Sequence, residues 1–446
     1  MSGALRLLVR VLPLAGGLAL LLELPRMDPL TSVGGAWPLP WRCDALAIAL
    51  GLALALGIAL APWHAQQLWR LPLVSALLAV ALLTDQLILL ALVLLALGLL
   101  LADRRWMLAG GLLLLAALLL AAAGAMRWSD PQAGPRLSSP TFLLLALACL
   151  AGLGTYPFSL MAARPDALRR AAQPIWLLPL LRTVAWGPWN SGWALALVLV
   201  GAVGALWAAG AALGASDDET CHERLSGLWL SMALACLGLL TSVGMAAALW
   251  LPYGIAVSQP LLTGRRRMWA MPLPPTLMFT AVWLALGATA ASGAMVLAAA
   301  LLLATLIGVV AGYRTPEAAP HEEAPLTPTA RAALALTLGG GLLTPLAIRA
   351  LILPAVDQLQ GGLTPFGLIT IWPWVGLAAL DAGQRRVAVL PSIALLALAL
   401  VIGALVWLVA RAAQARQGTT AAEAAPQADL QQALRQVWWL RGRRRG

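Results

Sequence analysis

The sequence predicts an all-α, polytopic transmembrane bundle of about 12 to 14 spans. Three observations predict it. Of 446 residues, 61% are hydrophobic and only 11% charged, too little charge to coat a soluble fold of that size. Apolar runs close to the roughly 20 residues that a helix needs to cross a bilayer recur along the chain. The alternating segments of about ten residues that mark a membrane β-barrel do not occur.

Taken in order, residues 4–24 carry Arg6 and Arg10 ahead of an apolar stretch. That resembles a secretory signal, but no small-x-small cleavage site follows, so the segment reads as the first span. Further spans are expected at 44–62, 71–84, 86–102, 106–126, 141–163, 174–189, 192–214, 227–252, 276–291, 292–313, 331–354, 364–380 and 387–410. The range in the count comes from 71–102, which also suits one long tilted helix, and from the short 174–189. Residues 25–43, 127–140, 164–173 and 215–226 connect spans. The stretch "RTPEAAPHEEAPLTPTA" (314–330) is rich in Pro, Ala and Glu and reads as a solvent-exposed linker. This gives a membrane domain over 1–315, a polar linker over 316–330, additional transmembrane helices over 331–411 and a basic tail over 412–446. In the tail, Leu430, Leu434, Val437 and Trp438 share one helical face and "RGRRRG" follows. A short amphipathic helix on an anionic membrane surface or on a partner fits both features.

The net charge is +11, and every one of the 29 basic residues is Arg. Arginine does not deprotonate in proteins, so His64, His222 and His321 are the only basic side chains able to exchange a proton. They are scattered and form no ligand cluster, and Cys43, Cys149, Cys221 and Cys236 show no CxxC pairing. No disulfide, metal, cofactor or nucleic-acid partner is expected. The acidic "SDDETCHER" (216–224) lacks the turn glycine and spacing of a calcium loop and reads as a solvated loop. Basic loops at Arg104–Arg105, Arg164–Arg170, Arg265–Arg267 and Arg385–Arg386 cannot all lie on the side of a cytoplasmic tail, so the positive-inside rule sets orientation only weakly.

Charges within spans are where membrane proteins place function. Asp44, Asp85, Arg182, Arg349 and Asp357 are the candidates for an ion or lipid path. Against that, a Leu-rich span absorbs one Arg, at about 3 kcal/mol, without a functional reason. Arg349 then reads as a structural charge bonded to carbonyls, and Arg182 as an interfacial residue. Arg349 and Asp357 lie two turns apart, on one face but too distant to pair. Pro157, Pro174, Pro179, Pro274, Pro275, Pro345 and Pro373 fall in or beside spans, where a proline frees a carbonyl.

Several stretches carry a resemblance: "GGAWPLPWRCDALA" (34–47), "LLTDQLILLALVLL" (82–95), "GLGTYPFSLMAARPDALRRAAQP" (152–174), "WALALVLVGAVGALWAAGAAL" (193–213), "MPLPPTLMF" (271–279) and "AGYR" (311–314). In order and spacing they resemble the antiporter-like membrane subunits of respiratory complex I, membrane-bound hydrogenases and multi-subunit cation/proton antiporters. The resemblance covers about 40–315 and implies broken helices near 152–174, at Pro157 and Pro174. It also implies a central proton line of Glu, Lys, and Lys or His. Here the Glu position falls on Leu94, the broken-helix Lys on Gly152 and the His on Ser159. No Glu stands between Glu23 and Glu219, and no Lys stands anywhere. Side chains that do not titrate cannot relay protons.

The resulting expectation is a non-conducting or structural subunit in the membrane arm of a proton-translocating NADH:quinone oxidoreductase-like or hydrogenase-like complex. It would sit in a bacterial cytoplasmic (inner) membrane, beside other integral subunits, lipid and quinone, and have no catalytic activity of its own. The small residues of "GAVGALWAAGAALG" would let neighbours approach closely. Two other classes stay open. One is a stand-alone transporter or flippase for an anionic or lipid-linked substrate, built around Arg182, Arg349 and Asp357. The other is a polytopic lipid-dependent glycosyltransferase using Asp28 or Asp44.

Overall fold

The computed structural model describes residues 43–62, 69–129, 137–161, 166–184, 186, 191–215, 217–261, 267–313, 327–360, 367–371, 376–381 and 386–390. The first expected span and the amphipathic tail lie outside the described residues. Contacts divide the chain into units 1–396 and 397–446, and the second lies wholly outside them.

Helix α1 (Ala45–Leu60) starts where the Asp44 carboxylate accepts the Ala47 N–H, 2.8 Å away. Helices α2 (Arg70–Leu83) and α3 (Leu87–Leu100) are separate rods, not one tilted helix. Their junction is pinned by backbone bonds from Leu87 to Met126 and from Trp128 to Asp85, at 3.2 and 2.9 Å. Helix α4 (Arg104–Ala122) is capped by Asp103. Helix α5 (Ser139–Leu153) stops at Gly154, which adopts the left-handed conformation with φ 64°. The chain then makes a short 3-10 turn, Phe158–Met161. This is the break expected near 152–174. The second break expected, at Pro174, is milder: α6 (Ala167–Ala172) runs through one 3-10 segment, Gln173–Trp176, into α7 (Leu177–Val184). Pro174 sits in the first turn of that segment, where a missing N–H leaves no bond unmade.

Helices α8 (Ser191–Leu213) and α9 (Asp218–Gly238) pack along their length. The "SDDETCHER" stretch is therefore corrected from solvated loop to helix start. Asp217 caps α9 through the Thr220 N–H at 2.7 Å, and acidic residues suit the positive end of the helix dipole. The expected role of the small residues of α8 is also corrected. Gly201 lies against the Ala235 backbone, so this face seats the chain's own α9. The side turned outward carries Leu195, Leu199, Val203 and Trp207.

Helix α10 (Ser242–Ser258) packs on α1 and α9 and ends in a 3-10 turn, Gln259–Leu261. A single turn, α11 (Arg267–Ala270), precedes α12 (Leu277–Ala291) and α13 (Met295–Tyr313). Helix α14 (Pro328–Leu342) continues through α15 (Thr344–Ala347), a π-turn at Ile348–Ile352 and α16 (Leu353–Gln360). The helices Arg104–Ala122, Gly192–Leu213 and Met295–Tyr313 are each long and apolar enough to cross a membrane by themselves.

The span expected at 364–380 is a further correction. Strands β1 (Gly367–Ile371), β2 (Gly376–Asp381) and β3 (Arg386–Leu390) form a small antiparallel meander. Gly, Pro and Asp cut this apolar sequence into runs of five or six residues with β-branched members such as Ile369 and Val387. Such runs suit strands better than a helix.

Candidate functional site

Among the described residues, two buried charge clusters stand at opposite ends of the bundle. The first joins the start of α4, the start of α9 and α6. Asp103 reaches back to cap α4 through the Arg105 N–H, at 2.8 Å. Its second oxygen accepts from Arg169 at 2.7 Å and from Arg105 at 3.3 Å. Glu223, in the second turn of α9, accepts from Arg169 at 2.7 Å and Arg105 at 3.2 Å. Two guanidiniums thus bridge two carboxylates in a closed square, and all four residues are buried. Arg170 adds a longer pair to Glu219, at 3.9 Å. Burial alone pushes the Asp103 carboxyl up, but the Arg105 and Arg169 charges more than offset this and hold it below the usual carboxylate range.

Gly152 and Gly154 make room for this arrangement. A Cβ at Gly154 would overlap the Arg105 guanidinium, and its positive φ is costly for any other residue. A Cβ at Gly152 would overlap the Trp176 indole. Trp176 in turn meets Trp106 edge-on, with centroids 5.8 Å apart. The Gln173 amide donates to the Leu153 carbonyl and closes the broken end of α5.

At the other end, Arg182 pairs with Asp44 at 3.5 Å and donates to the Leu82 carbonyl at 2.9 Å. The pair ties α7 to α1 and to the end of α2. Gln358 of α16 accepts from the Leu46 N–H at 3.3 Å beside it. Asp85 is held by the Ser129 N–H at 3.0 Å and by the Ser129 hydroxyl. The Trp128 and Trp186 rings stack nearby with centroids 4.9 Å apart.

The five expected path residues therefore do not form one site. Asp44 and Arg182 meet, and Arg182 is a buried ion-pair partner where the sequence suggested an interfacial residue. Asp85 has its own serine partner. Arg349 and Asp357 are exposed on the outside of the bundle. Arg349 is not bonded to carbonyls, since it makes no hydrogen bond or ion pair among the described residues. Leu94 is fully buried in the core, and Ser159 is buried with its carbonyl accepting from Arg224 at 3.2 Å. Pro157 lies in the turn that follows α5. Among the described residues no group of His, Cys, Asp or Glu is placed to hold a metal ion. The first cluster was missed from sequence. It joins three separate stretches of chain, with Arg169 66 residues from Asp103 and 54 from Glu223, and the arginines sit in short stretches that read as basic loops. Glu223 was the available signal, lying just ahead of a long apolar run, with no other Glu upstream of Glu219 for nearly two hundred residues.

No protein-family model matches the chain, and no curated protein sequence matches it. Solved structures do. A chain of the Mrp complex from Dietzia sp. DQ12-45-1b superposes with a TM-score of 0.68 at 18% identity, over 91% of this chain and 53% of that one. This protein thus spans about half the length of that chain. A chain of Thermus thermophilus respiratory complex I with bound NADH gives 0.60 at 17% identity, covering 79% of this chain and 99% of that one. A chain of the archaeal membrane-bound sulfane sulfur reductase gives 0.66 at 14% identity, covering 81% and 93%. The chain has the fold of antiporter-like membrane subunits, as its motifs anticipated.

Proposed function

We propose that this protein is a non-conducting, antiporter-like structural subunit in the membrane arm of a multi-subunit complex, of the proton-translocating oxidoreductase or hydrogenase type. One observation carries the reading: a buried apolar interval separates the two charge clusters. Between Gln173 and Arg182 the chain reads Pro-Ile-Trp-Leu-Leu-Pro-Leu-Leu, and every one of these residues is buried. At helical rise those nine steps span about 14 Å. Helices α1, α5, α8, α10 and α12 carry no Asp, Glu, His, Lys or Arg. A proton relay needs titrating groups or water in this interval, and its walls are apolar.

The first cluster is also poorly suited to relay work. Asp103 is clamped by two arginines that hold its carboxyl below the usual range, so it keeps its charge at physiological pH. The same groups serve well as bolts between helices. Among the described residues Arg182 is paired with Asp44 while Arg349 and Asp357 are exposed, so these three do not converge on one site as a flippase would need. Asp28 lies outside the described residues, and Asp44 is occupied as a helix cap and ion-pair partner, so the glycosyltransferase reading gains nothing here.

The clusters also support an orientation. Arg70, Arg104, Arg105, Arg169, Arg170 and Arg224 belong to the end that holds Glu223, while Arg127 and Arg182 belong to the other. The positive-inside rule puts the Glu223 end in the cytoplasm. In liposomes under an imposed potential, the purified chain should acidify the lumen no faster than empty vesicles do. Proton flux above that baseline overturns the reading.

A further inference from the structure

Arg104, Arg127 and Arg331 are exposed arginines in a helix's first turn or in the link between helices, whereas Arg349 is exposed inside a helical run. Arg105, Arg169 and Arg182 all answer to carboxylates of this chain. Arg349 has no partner among the described residues and faces outward. Its neighbours on the surface are Leu342, Leu343 and Leu346, and Leu346 is 64% exposed.

Its depth follows from the contacts around it. Five residues before Arg349, the Thr344 and Thr280 hydroxyls meet at 2.9 Å, and Thr280 also accepts from the Trp250 indole at 3.2 Å. One turn along α10, the Tyr253 hydroxyl donates to the Ala49 carbonyl, inside α1. Nine residues after Arg349, Gln358 reaches the first turn of α1, level with the Asp44–Arg182 pair. Arg349 thus lies about 13 Å below that end of the bundle. The half-thickness of a bilayer core is about 15 Å, and an extended arginine reaches only about 7 Å from its Cα. Snorkelling to a phosphate is beyond its reach. An unpaired guanidinium at that depth carries the insertion cost of any Arg within a span, which a carboxylate at the same depth would offset.

The helix is also locally rebuilt at this residue. Ile348–Ile352 is a π-turn, with the Leu353 N–H bonded to the Ile348 carbonyl, ahead of Pro354. A π-turn widens the helix and alters where its side chains point, and such turns gather at functional sites.

We propose that Arg349 and the Leu342, Leu343 and Leu346 face around it form a docking surface for a membrane helix of a neighbouring subunit, one that carries an Asp or Glu at the same depth. The inference rests on the subunit reading above and names the chemistry of its partner. The leucines supply the apolar contact, and the carboxylate neutralises the charge that Arg349 carries at this depth. A lipid cannot place an anion there, because its phosphate sits at the membrane surface.

The test uses the full chain in native membranes. A photoreactive residue replaces Leu346, and the cross-linked peptide is identified by mass spectrometry. The expected product joins Leu346 to an apolar, Asp- or Glu-containing segment of another polypeptide. Arg349→Leu should then lower the fraction of chain recovered in the large particle by about tenfold or more. Arg349→Lys should preserve it, and Arg349→Glu paired with Arg at the partner carboxylate should restore it. Because Leu suits a lipid-facing position, Arg349→Leu should unfold no earlier than the parent, which separates lost assembly from lost folding. Cross-linking only to this chain's own segments or to lipid overturns the proposal, and so does an Arg349→Leu particle of unchanged yield. If the parent protein itself runs alone, the subunit reading has failed instead.

Discussion

In a Glu223→Gln variant the shape of the side chain is kept and its charge is lost. The parent carboxylate receives two guanidiniums, at 2.7 and 3.2 Å, and is almost fully buried. Taking charge centres at about 4 Å and an effective dielectric near 20, each Arg–Glu attraction is about 4 kcal/mol. Arg105 and Arg169 keep Asp103, so part of that attraction is retained, but the cluster gains an uncompensated positive charge. Breaking buried pairs in this way destabilises by about 3–5 kcal/mol. For a chain of this size we expect the unfolding midpoint in nanodiscs to fall by roughly 3–5 °C. Arg169→Gln alone should do about the same. The double variant should lose less than the sum, by about 1–3 kcal/mol, because the pair leaves together. A single-variant change within about 0.5 kcal/mol, or strict additivity, would refute the claim that these charges bolt α4, α6 and α9 together.

Gly152→Ala should destabilise the bundle by about 1–3 kcal/mol in the same assay, since the added carbon meets Trp176, and Gly152→Lys should be worse. A wild-type-like Gly152→Lys protein would show that the indole yields. Gly154→Ala adds left-handed strain to displacement of Arg105 and should cost about 2 kcal/mol or more, read out by denaturant midpoint. Asp103 is held below its ordinary value, so its contribution is present above about pH 4 and lost as pH falls through the lowered value. Thermal stability should therefore stay level from pH 7 to about 5 and drop only in stronger acid, and a loss centred near pH 6 would contradict the arrangement. Asp44→Asn keeps the α1 cap but removes the Arg182 partner, whereas Asp44→Ala removes both. The alanine variant should be less stable by about a further 1 kcal/mol.

Some features were legible because they depend on local chemistry. The span-forming runs follow from hydropathy, which is set residue by residue. Pro157 marked the break after α5, because a missing N–H leaves its mark in sequence, and the structure adds Gly154 as the left-handed residue that ends the helix. The order of short motifs was enough to anticipate the antiporter-like fold. The 364–380 segment misled because apolar content alone does not distinguish a short strand from part of a span. The acidic stretch at 216–224 misled because its charge density was weighed and its position ahead of a long apolar run was not.

What the sequence by itself determined is the class of molecule, the places where its helices break, and the absence of lysine anywhere and of Glu through the expected channel. Only the tertiary structure decided which charges meet. It joined Asp103, Arg105, Arg169 and Glu223, paired Asp44 with Arg182, and left Arg349 on the outer face. The reason is physical. Hydropathy and turn geometry act over a few residues, whereas an ion pair in a bundle depends on how helices distant in the chain align in depth and rotation. No local pattern in the sequence records that alignment.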